Sequence, residues 1–266
     1  MSQGREPDEP SLEESRMLGE GGIAPPRRRT SPRSRRLPFL GATPESKNVT
    51  TFRFDRSAAP FDWRPGQFLE MTFPGLEDPR GPTRPFTISS SPTEAGVVAI
   101  TTRMGTSPFK QRLHALSVGE LVDIEAPSGN FVLQAGRPAI LLAGGIGITP
   151  FRSMLRYATD VRLEKPLVLV YASKTPEDLV FRDELDDLAR RNHAIRLLET
   201  ITRPEESHAP WKGHVGRVDA DLLRQAMRGV RHPMFYIAGP PGLVSEDRRL
   251  VREDMHISVN DVKTDV

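Results

Sequence analysis

The pattern of apolar and polar positions changes character once along the chain. Between residues 49 and 133, short runs of alternating apolar and polar residues are separated by stretches rich in proline and glycine. A period of two residues is typical of half-buried β-strands, and several short strands at this spacing are typical of a small antiparallel barrel. The pattern predicts strands at VTTFRF, QFLEMTF, PFTISSS, VVAITTR, LVDIEA and NFVL, with one helix over Pro108–Leu116.

From Ala139 onward, continuous apolar runs alternate with segments of helical periodicity. The runs AILLAG, PLVLVYAS, IRLLETIT and MFYIAG predict buried strands, and FRSMLRYATD, DLVFRDELDDLARRN and DADLLRQAM predict amphipathic helices. Buried strands that alternate with helices form parallel α/β sheets. The sequence therefore predicts two domains, an antiparallel β-barrel over residues 37–136 and an α/β domain with a parallel sheet over residues 137–266.

Residues 1–36 show neither period. The first part of this segment is acidic and contains proline, and a basic cluster follows between Arg27 and Arg36. Segments with few apolar residues cannot offset the entropy cost of ordering, so we predict a disordered, solvated tail. Contact of the basic cluster with nucleic acid or an acidic partner is the alternative, and Met17 is an alternative start of translation.

Composition excludes several kinds of chemistry. The chain of 266 residues has no cysteine, which excludes disulfides, cysteine nucleophiles and cysteine-ligated zinc or iron–sulfur sites. Its six histidines show no metal-binding spacing. No apolar run reaches the ~20 residues of a membrane span, and residues 1–30 lack the apolar stretch of a secretion signal. We therefore expect a cytoplasmic protein with no bound metal.

The clearest candidate for a ligand site is the segment AGGIGITPFRSML. A predicted buried strand ends at Ala143, and a helix is predicted to begin near Thr149 and Pro150. Glycines between them let the backbone turn tightly and approach a ligand, and the start of a helix favours a phosphate. A simple strand-to-helix turn is the alternative. These glycines are Gly144, Gly145 and Gly147.

A second candidate is the segment RPFTISSSP. The alternation of side chains along a strand places Arg84, Phe86, Ile88 and Ser90 on one face. An arginine can bind a pyrophosphate through two parallel hydrogen bonds, and an aromatic ring can cover a flat ligand. An ordinary barrel strand with outward polar positions is the alternative.

Taken in their order along the chain, RPFTISSSP and then AGGIGITPFRSML resemble motifs of the ferredoxin–NADP reductase superfamily. The resemblance runs from about Leu37 to Lys263. That family has an antiparallel barrel that binds FAD, followed by an α/β domain that binds a nicotinamide nucleotide. The resemblance implies that Arg84 binds the FAD pyrophosphate and that Thr87 forms a hydrogen bond near flavin N5. It also implies that Phe86, which replaces the commoner tyrosine, stacks beside the flavin.

Two further segments, MGTSPFKQRL and YIAGPPGLV, are similar to motifs of the same family. MGTSPFKQRL resembles a second pyrophosphate segment, which would use Ser107 and Lys110. GGIGITP resembles the loop that binds the nicotinamide nucleotide, with Thr149 near the nicotinamide. YIAGPPGLV resembles the family's Cys-Gly-Pro-Pro segment, with Ala238 in place of the cysteine.

We expect the residues that discriminate NADPH from NADH in the segment YASKTPEDLVFRDEL, which follows the second predicted strand of the α/β domain. Ser173 and Lys174 resemble the serine–arginine pair that binds the 2′-phosphate of NADPH, whereas Leu179 and Phe181 stand where strong NADPH users often have lysine and tyrosine. We expect FAD and NADPH as cofactors, with NADH as the alternative. The predicted catalytic residues are Thr87, Thr149 and Ala238. The predicted cofactor-binding residues are Arg84, Phe86, Thr87, Ser90, Ser107, Lys110, Gly144, Gly145, Gly147, Thr149, Pro150, Ser173, Lys174, Gly239, Pro240 and Pro241.

The resemblance implies a flavin oxidoreductase that transfers a hydride from NAD(P)H to bound FAD. Electrons would then pass to a separate protein, either a small carrier such as ferredoxin or flavodoxin or an oxygenase component. A ferric or free-flavin reductase is one alternative, and a degenerate reductase that acts as a binding module through its arginine-rich tail is another; we expect no nucleic-acid partner.

The family often ends in an aromatic residue that covers the flavin, whereas no aromatic follows Tyr236 here, so we expect an open flavin face or one covered by a partner. The acceptor and the oligomeric state stay open.

Overall fold

Antiparallel strands build the first half of the computed structural model, which describes residues 33–265. The strand order is β4-β3-β6-β1-β2-β5, and a bridge between Ile88 and Ile100 links the two outer strands into a barrel. One helix, α1, lies between β5 and β6. The predicted antiparallel fold is confirmed. The elements are β1 (Arg33–Ser46), β2 (Val49–Asp55), β3 (Phe68–Thr72), β4 (Thr83–Thr87), β5 (Val97–Arg103), α1 (Pro108–His114) and β6 (Leu121–Ser128).

Two details of the barrel differ from the sequence pattern. Strand β1 was not predicted, because Pro38, Gly41 and Pro44 interrupt its alternation. It begins inside the predicted tail, since residues 33–36 pair with β6; the rest of that tail lies outside the described residues. The prediction of a strand at NFVL is wrong: Asn130 is exposed, and residues 131–133 form a buried connection that packs on Tyr236 of the second half.

Parallel strands and helices build the second half, as predicted. The strand order is β10-β9-β8-β7-β11-β12, and every neighbouring pair is parallel. Three of these elements, β10, α5 and β12, were not predicted. The elements are β7 (Ala139–Gly144), α2 (Thr149–Asp160), β8 (Leu167–Ser173), α3 (Arg182–Arg191), β9 (Ile195–Ile201), β10 (His214–Val215), α4 (Ala220–Met227), β11 (Met234–Ala238), α5 (Pro241–Arg249) and β12 (Val262–Asp265).

The core of the second half lies on both faces of its sheet. Every residue of β7 and β8 is buried, which explains their continuous apolar runs. One face packs against α2 and α3, and the other packs against α4 and α5. The carboxyl ends of the central strands therefore meet at one edge, beside the barrel. Within the described part of the chain, no helix is long and apolar enough to cross a membrane.

Candidate functional site

A cleft of about 420 Å³ opens where the barrel meets the carboxyl edge of the parallel sheet. Its volume lies within the range of small-molecule sites. One wall comes from β3, β4 and β5, and the other comes from the glycine turn, the start of α2 and the ends of β11 and β12. The lining residues are Phe68, Pro85, Phe86, Thr87, Thr101, Thr102, Ile146, Gly147, Thr149, Pro150, Ala238, Gly239 and Asp265.

The three predicted catalytic residues all line this cleft. Thr87 ends β4 on the barrel side, whereas Thr149 begins α2 and Ala238 ends β11 on the sheet side. Their roles in catalysis stay predictions. A larger groove of about 880 Å³ lies at the opposite edge of the sheet, and none of the predicted site residues lines it.

The glycine turn between β7 and α2 is held by packing. A Cβ atom at Gly147 would lie 2.2 Å from the carbonyl oxygen of Ala238, and Gly145 has a left-handed backbone with φ of 51°. The hydroxyl of Tyr171 donates to the carbonyl oxygen of Gly145 at 3.1 Å. Burial raises the pKa of Tyr171 above its usual range, so this hydroxyl stays a donor. The turn is therefore fixed before any ligand binds.

Thr149 and Pro150 continue this turn into α2. Thr149 is buried, and its hydroxyl donates to the carbonyl oxygen of Ile146 at 3.2 Å. Pro150 occupies the first turn of the helix, where a missing N–H costs nothing. Gly144 ends β7, where a Cβ atom would clash with Leu243 at 2.4 Å. The predicted strand–turn–helix geometry is confirmed.

Asp265 is a site residue that the sequence did not reveal. It pairs with Ala238 across β11 and β12, and its Oδ2 accepts a hydrogen bond from the Thr87 hydroxyl at 3.5 Å. Burial raises the pKa of this carboxyl, while the bond from Thr87 opposes the shift. A half-buried carboxyl group of the sheet wall therefore contacts the barrel wall across the cleft. No sequence signal marks it, because β12 is short and half-buried throughout.

Arg84 is buried and turned toward its own loop. Its Nη1 donates to the carbonyl oxygens of Arg80, Gly81 and Thr83 at 2.7–2.8 Å, and its Nη2 forms an ion pair with Asp78. The guanidinium also lies over the ring of Phe109 in α1. Its predicted contact with the FAD pyrophosphate stays a prediction, and the observed contacts show that it holds the loop before β4.

Positive charge accumulates beside α1. Burial, together with the charges of Arg80 and Arg84, lowers the pKa of Lys110 to about 8. Its Nζ donates to Thr102 and lies 4.7 Å from the centre of the Phe86 ring. The carboxylate of Asp78 lies beside these cations and pairs with Arg84. The arrangement fits a bound diphosphate such as that of FAD, which would relieve the repulsion that lowers the pKa of Lys110.

The two remaining barrel residues have structural contacts. Ser107 caps α1, since its side chain accepts from the N–H of Lys110 at 3.3 Å. Ser90 is fully buried and lies outside the cleft lining: its hydroxyl accepts from the N–H of Ala99, and its carbonyl oxygen accepts from Ser153. The geometry thus gives Ser90 a role in packing, and its predicted cofactor contact has no support from these contacts.

The segments predicted to bind the nicotinamide nucleotide lie at the ends of neighbouring strands. Ser173 ends β8 and is buried, whereas Lys174 is exposed directly after it. Gly239 follows β11 and lines the cleft, and Pro240 and Pro241 begin α5. Parallel strands place all of these at the edge where ligands of such sheets bind.

Two family models match the two halves of the chain. An oxidoreductase FAD-binding domain matches residues 38–133, and an oxidoreductase NAD-binding domain matches residues 141–248. A barrel and a parallel sheet that meet at one cleft thus define a flavin- and nicotinamide-binding oxidoreductase. The exact boundaries between the predicted domains stay a prediction.

Known relatives identify the family. The ferredoxin–NADP reductase B of Sorangium cellulosum is 30% identical over 229 residues, which cover 82% of this chain and 91% of that protein. A ferredoxin–NADP⁺ reductase from Neisseria gonorrhoeae, solved with FAD and NADP bound, has a TM-score of 0.71 at 19% identity and covers 87% of this chain and 98% of that one. The chain belongs to the ferredoxin–NADP reductase superfamily.

Other relatives are parts of larger systems. The reductase subunit of glycine betaine monooxygenase from Chromohalobacter salexigens is 29% identical over 217 residues, which cover 79% of this chain and 58% of that subunit. This chain spans 58–64% of the length of that subunit and three further relatives.

Proposed function

We propose that this chain binds FAD and transfers a hydride to it from NAD(P)H, and that the electrons then pass to a separate protein. The observation that carries the proposal is the shared cleft, in which Thr87 of the barrel lies opposite Thr149 and Ala238 of the nucleotide-binding half. We propose a cytoplasmic location, because reduced nicotinamide cofactors are the electron source.

When bound, FAD supplies the electron chemistry, because its flavin accepts two electrons with a hydride and releases them singly. The task of the protein is to hold the two rings at the ~3–3.5 Å separation of a reactive pair. Thr87 would orient the flavin, and the glycine turn would carry the nucleotide phosphates at the start of α2. Asp265 would orient the Thr87 hydroxyl by accepting its hydrogen bond at Oδ2.

The acceptor is proposed from the relatives and from composition. Two relatives are named as reductase parts of monooxygenases, a third as the electron transfer component of toluate 1,2-dioxygenase, and a fourth as a ferredoxin–NADP reductase. The printed sequence has no cysteine that could ligate an iron–sulfur cluster. We therefore propose that a small electron carrier or an oxygenase component, outside residues 1–266, receives the electrons.

The test is anaerobic mixing of the FAD-loaded protein with NADPH or NADH while the visible flavin absorbance is recorded. We expect bleaching within seconds, faster with NADPH, because Ser173 and Lys174 are suited to the 2′-phosphate. Bound flavin that neither nucleotide bleaches would contradict the proposal.

The cofactor preference has its own variant. Lys174→Glu places a negative charge at the proposed 2′-phosphate position, so the rate with NADPH should fall much more than the rate with NADH. Lys165→Glu is the control, because Lys165 is exposed at the opposite edge of the sheet. Equal losses with both nucleotides would remove the case for this residue.

A further inference from the structure

One arginine joins the two walls of the cleft from behind. Arg152 lies on α2, three residues after Thr149, and is 8% exposed. Its Nη1 crosses to the turn between β4 and β5, where it donates to the carbonyl oxygen of Ser89 at 2.8 Å and to Glu94 Oε2 at 3.1 Å. Its Nη2 donates to Glu94 Oε1 at 3.3 Å. The turn that carries Ser89 and Glu94 follows Thr87 directly.

The same guanidinium is held from its other side by α3. Nε and Nη2 donate to the two carboxylate oxygens of Glu184 at 2.8 and 2.9 Å. Arginine has five N–H donors in a rigid plane, and these contacts supply an acceptor for each of them. Burial would lower the pKa of Arg152, but the attraction of Glu184 and Glu94 raises it above its usual range, so the side chain stays charged.

Neighbouring contacts run along the same face of α2. The Ser153 hydroxyl donates to the carbonyl oxygen of Ser90 at 2.7 Å, and the Thr93 hydroxyl donates to Asp160 at 2.6 Å. The first turn of α2 lines the cleft, and the rest of the helix is fixed to the turn that continues the opposite wall. A shift of Arg152 would therefore move Thr149 relative to Thr87.

We propose that Arg152 is a positioning residue, which clamps the nucleotide-binding half to the barrel and so sets the separation between flavin and nicotinamide. This inference rests on the proposed function. Glu94 is the arm of the clamp that crosses between the halves, whereas Glu184 holds the arginine within the nucleotide-binding half. Because hydride transfer depends steeply on the separation of the reacting atoms, a displacement of about 1 Å is enough to lower the rate by as much as ~100-fold.

Glu94 and Glu184 offer a matched pair of variants. Their side chains are similarly exposed, 24% and 26%, and each carries one negative charge against the same arginine. Glu94→Gln weakens the bond between the halves, and Glu184→Gln weakens the bond within one half. Arg152→Lys keeps the charge but loses the planar set of donors. Arg156→Gln is a further control, because Arg156 pairs mainly with Asp160 of its own helix.

The first measurement is the limiting rate of flavin reduction at saturating nucleotide, in the absence of oxygen. We expect Glu94→Gln and Arg152→Lys to slow it about tenfold or more, with the nucleotide dissociation constant changed less than about threefold. The long-wavelength absorbance that arises when flavin and nicotinamide stack should weaken in the same two variants. Glu184→Gln and Arg156→Gln should stay within about twofold of the unmodified protein. Equal losses in Glu94→Gln and Glu184→Gln would show a merely structural network and overturn the proposal.

The second measurement needs neither cofactor nor turnover. Backbone amide exchange of residues 88–96 should accelerate about tenfold in Glu94→Gln and should be unchanged in Glu184→Gln. Unchanged exchange in both variants would overturn the clamp, whatever the kinetics show. If the unmodified protein binds FAD but no nucleotide reduces it, the proposed function fails, and the exchange comparison still decides whether Glu94 locks the turn.

Discussion

Among the titratable side chains whose surroundings change their proton affinity, Lys110 lies beside the cleft and Asp247 lies on the buried side of α5. Burial, together with the charges of Arg80 and Arg84, lowers the pKa of Lys110 to about 8. Asp247 is 5% exposed, and its Oδ2 has no hydrogen-bond partner. Lys110 should therefore make FAD affinity depend on pH, and Asp247 should make stability depend on pH. A single substitution should remove each dependence.

FAD binding should weaken as the pH rises above about 8, where the pKa of Lys110 lies. A diphosphate prefers the charged amine, so affinity should be constant below pH 8 and then fall by up to about tenfold per pH unit. Fluorescence titration of FAD between pH 7 and pH 10 measures this. Lys110→Met should bind FAD more weakly with no such fall, and a fall that persists in this variant would exclude Lys110 as its source.

Stability should decrease with pH because of Asp247. Burial, with a further contribution from Glu246, raises its pKa from 3.8 to about 7. The folded protein therefore prefers the protonated acid, and the free energy of unfolding falls as the pH rises from about 4 to about 7, by up to roughly 1.4 kcal/mol per pH unit. Urea unfolding between pH 5 and pH 8 should show this slope.

Asp247→Asn should flatten that slope and leave the protein more stable at pH 8. Asp221→Asn is the control, because the Asp221 side chain is 90% exposed. The same slope in the parent protein and in Asp247→Asn would contradict the assignment.

At the scale of elements, the glycine turn between β7 and α2 is constrained by the close approach of the end of β11. In Gly147→Ala, the new Cβ atom would meet the backbone of Ala238 and Gly239 at 2.2–2.6 Å, so the ends of β7 and β11 must separate. We expect a loss of stability of about 1–3 kcal/mol and weaker nicotinamide binding, with FAD affinity nearly unchanged. Gly136→Ala is the control, because its Cβ atom would meet nothing within 4 Å. Parent-like nucleotide binding in Gly147→Ala would contradict this account.

The elements that the sequence predicted are those whose burial is regular. Strands β7 and β8 are buried along their whole length, and α2 and α3 keep a helical period. These elements of the second half could therefore be predicted from the sequence. Strand β12 is half-buried at every position and has no period to detect.

The site contacts that the sequence did not predict join residues far apart in the chain. Arg152 stood inside the segment that first indicated a site, but its partners lie 58 and 32 residues away. Thr87 and Asp265 are 178 residues apart in the sequence. A single sequence carries no signal for such pairings, whereas local turn and helix chemistry was sufficient to predict that a helix begins near Thr149 and Pro150.

At the scale of the whole molecule, FAD binding should stabilise both halves together. The cleft is shared, and Arg152 and the buried connection at residues 131–133 tie the halves to each other. At FAD concentrations of about 100 Kd, the gain should be about 2.7 kcal/mol, visible as one thermal transition that moves upward. Riboflavin, which lacks the diphosphate, should have a smaller effect at equal concentration. Two transitions, of which FAD moves one, would contradict this coupling.

The buried connection at residues 131–133 also limits where this protein can be recombined with its relatives. Phe131 packs edge-on against the Tyr236 ring at 5.4 Å, and the Tyr236 hydroxyl donates to the carbonyl oxygen of Val132 at 3.0 Å. Both partners of these contacts must come from the same parent. A chimera that takes its barrel from one reductase and its nucleotide-binding half from another should therefore be joined before Asn130, although the barrel family model extends to residue 133.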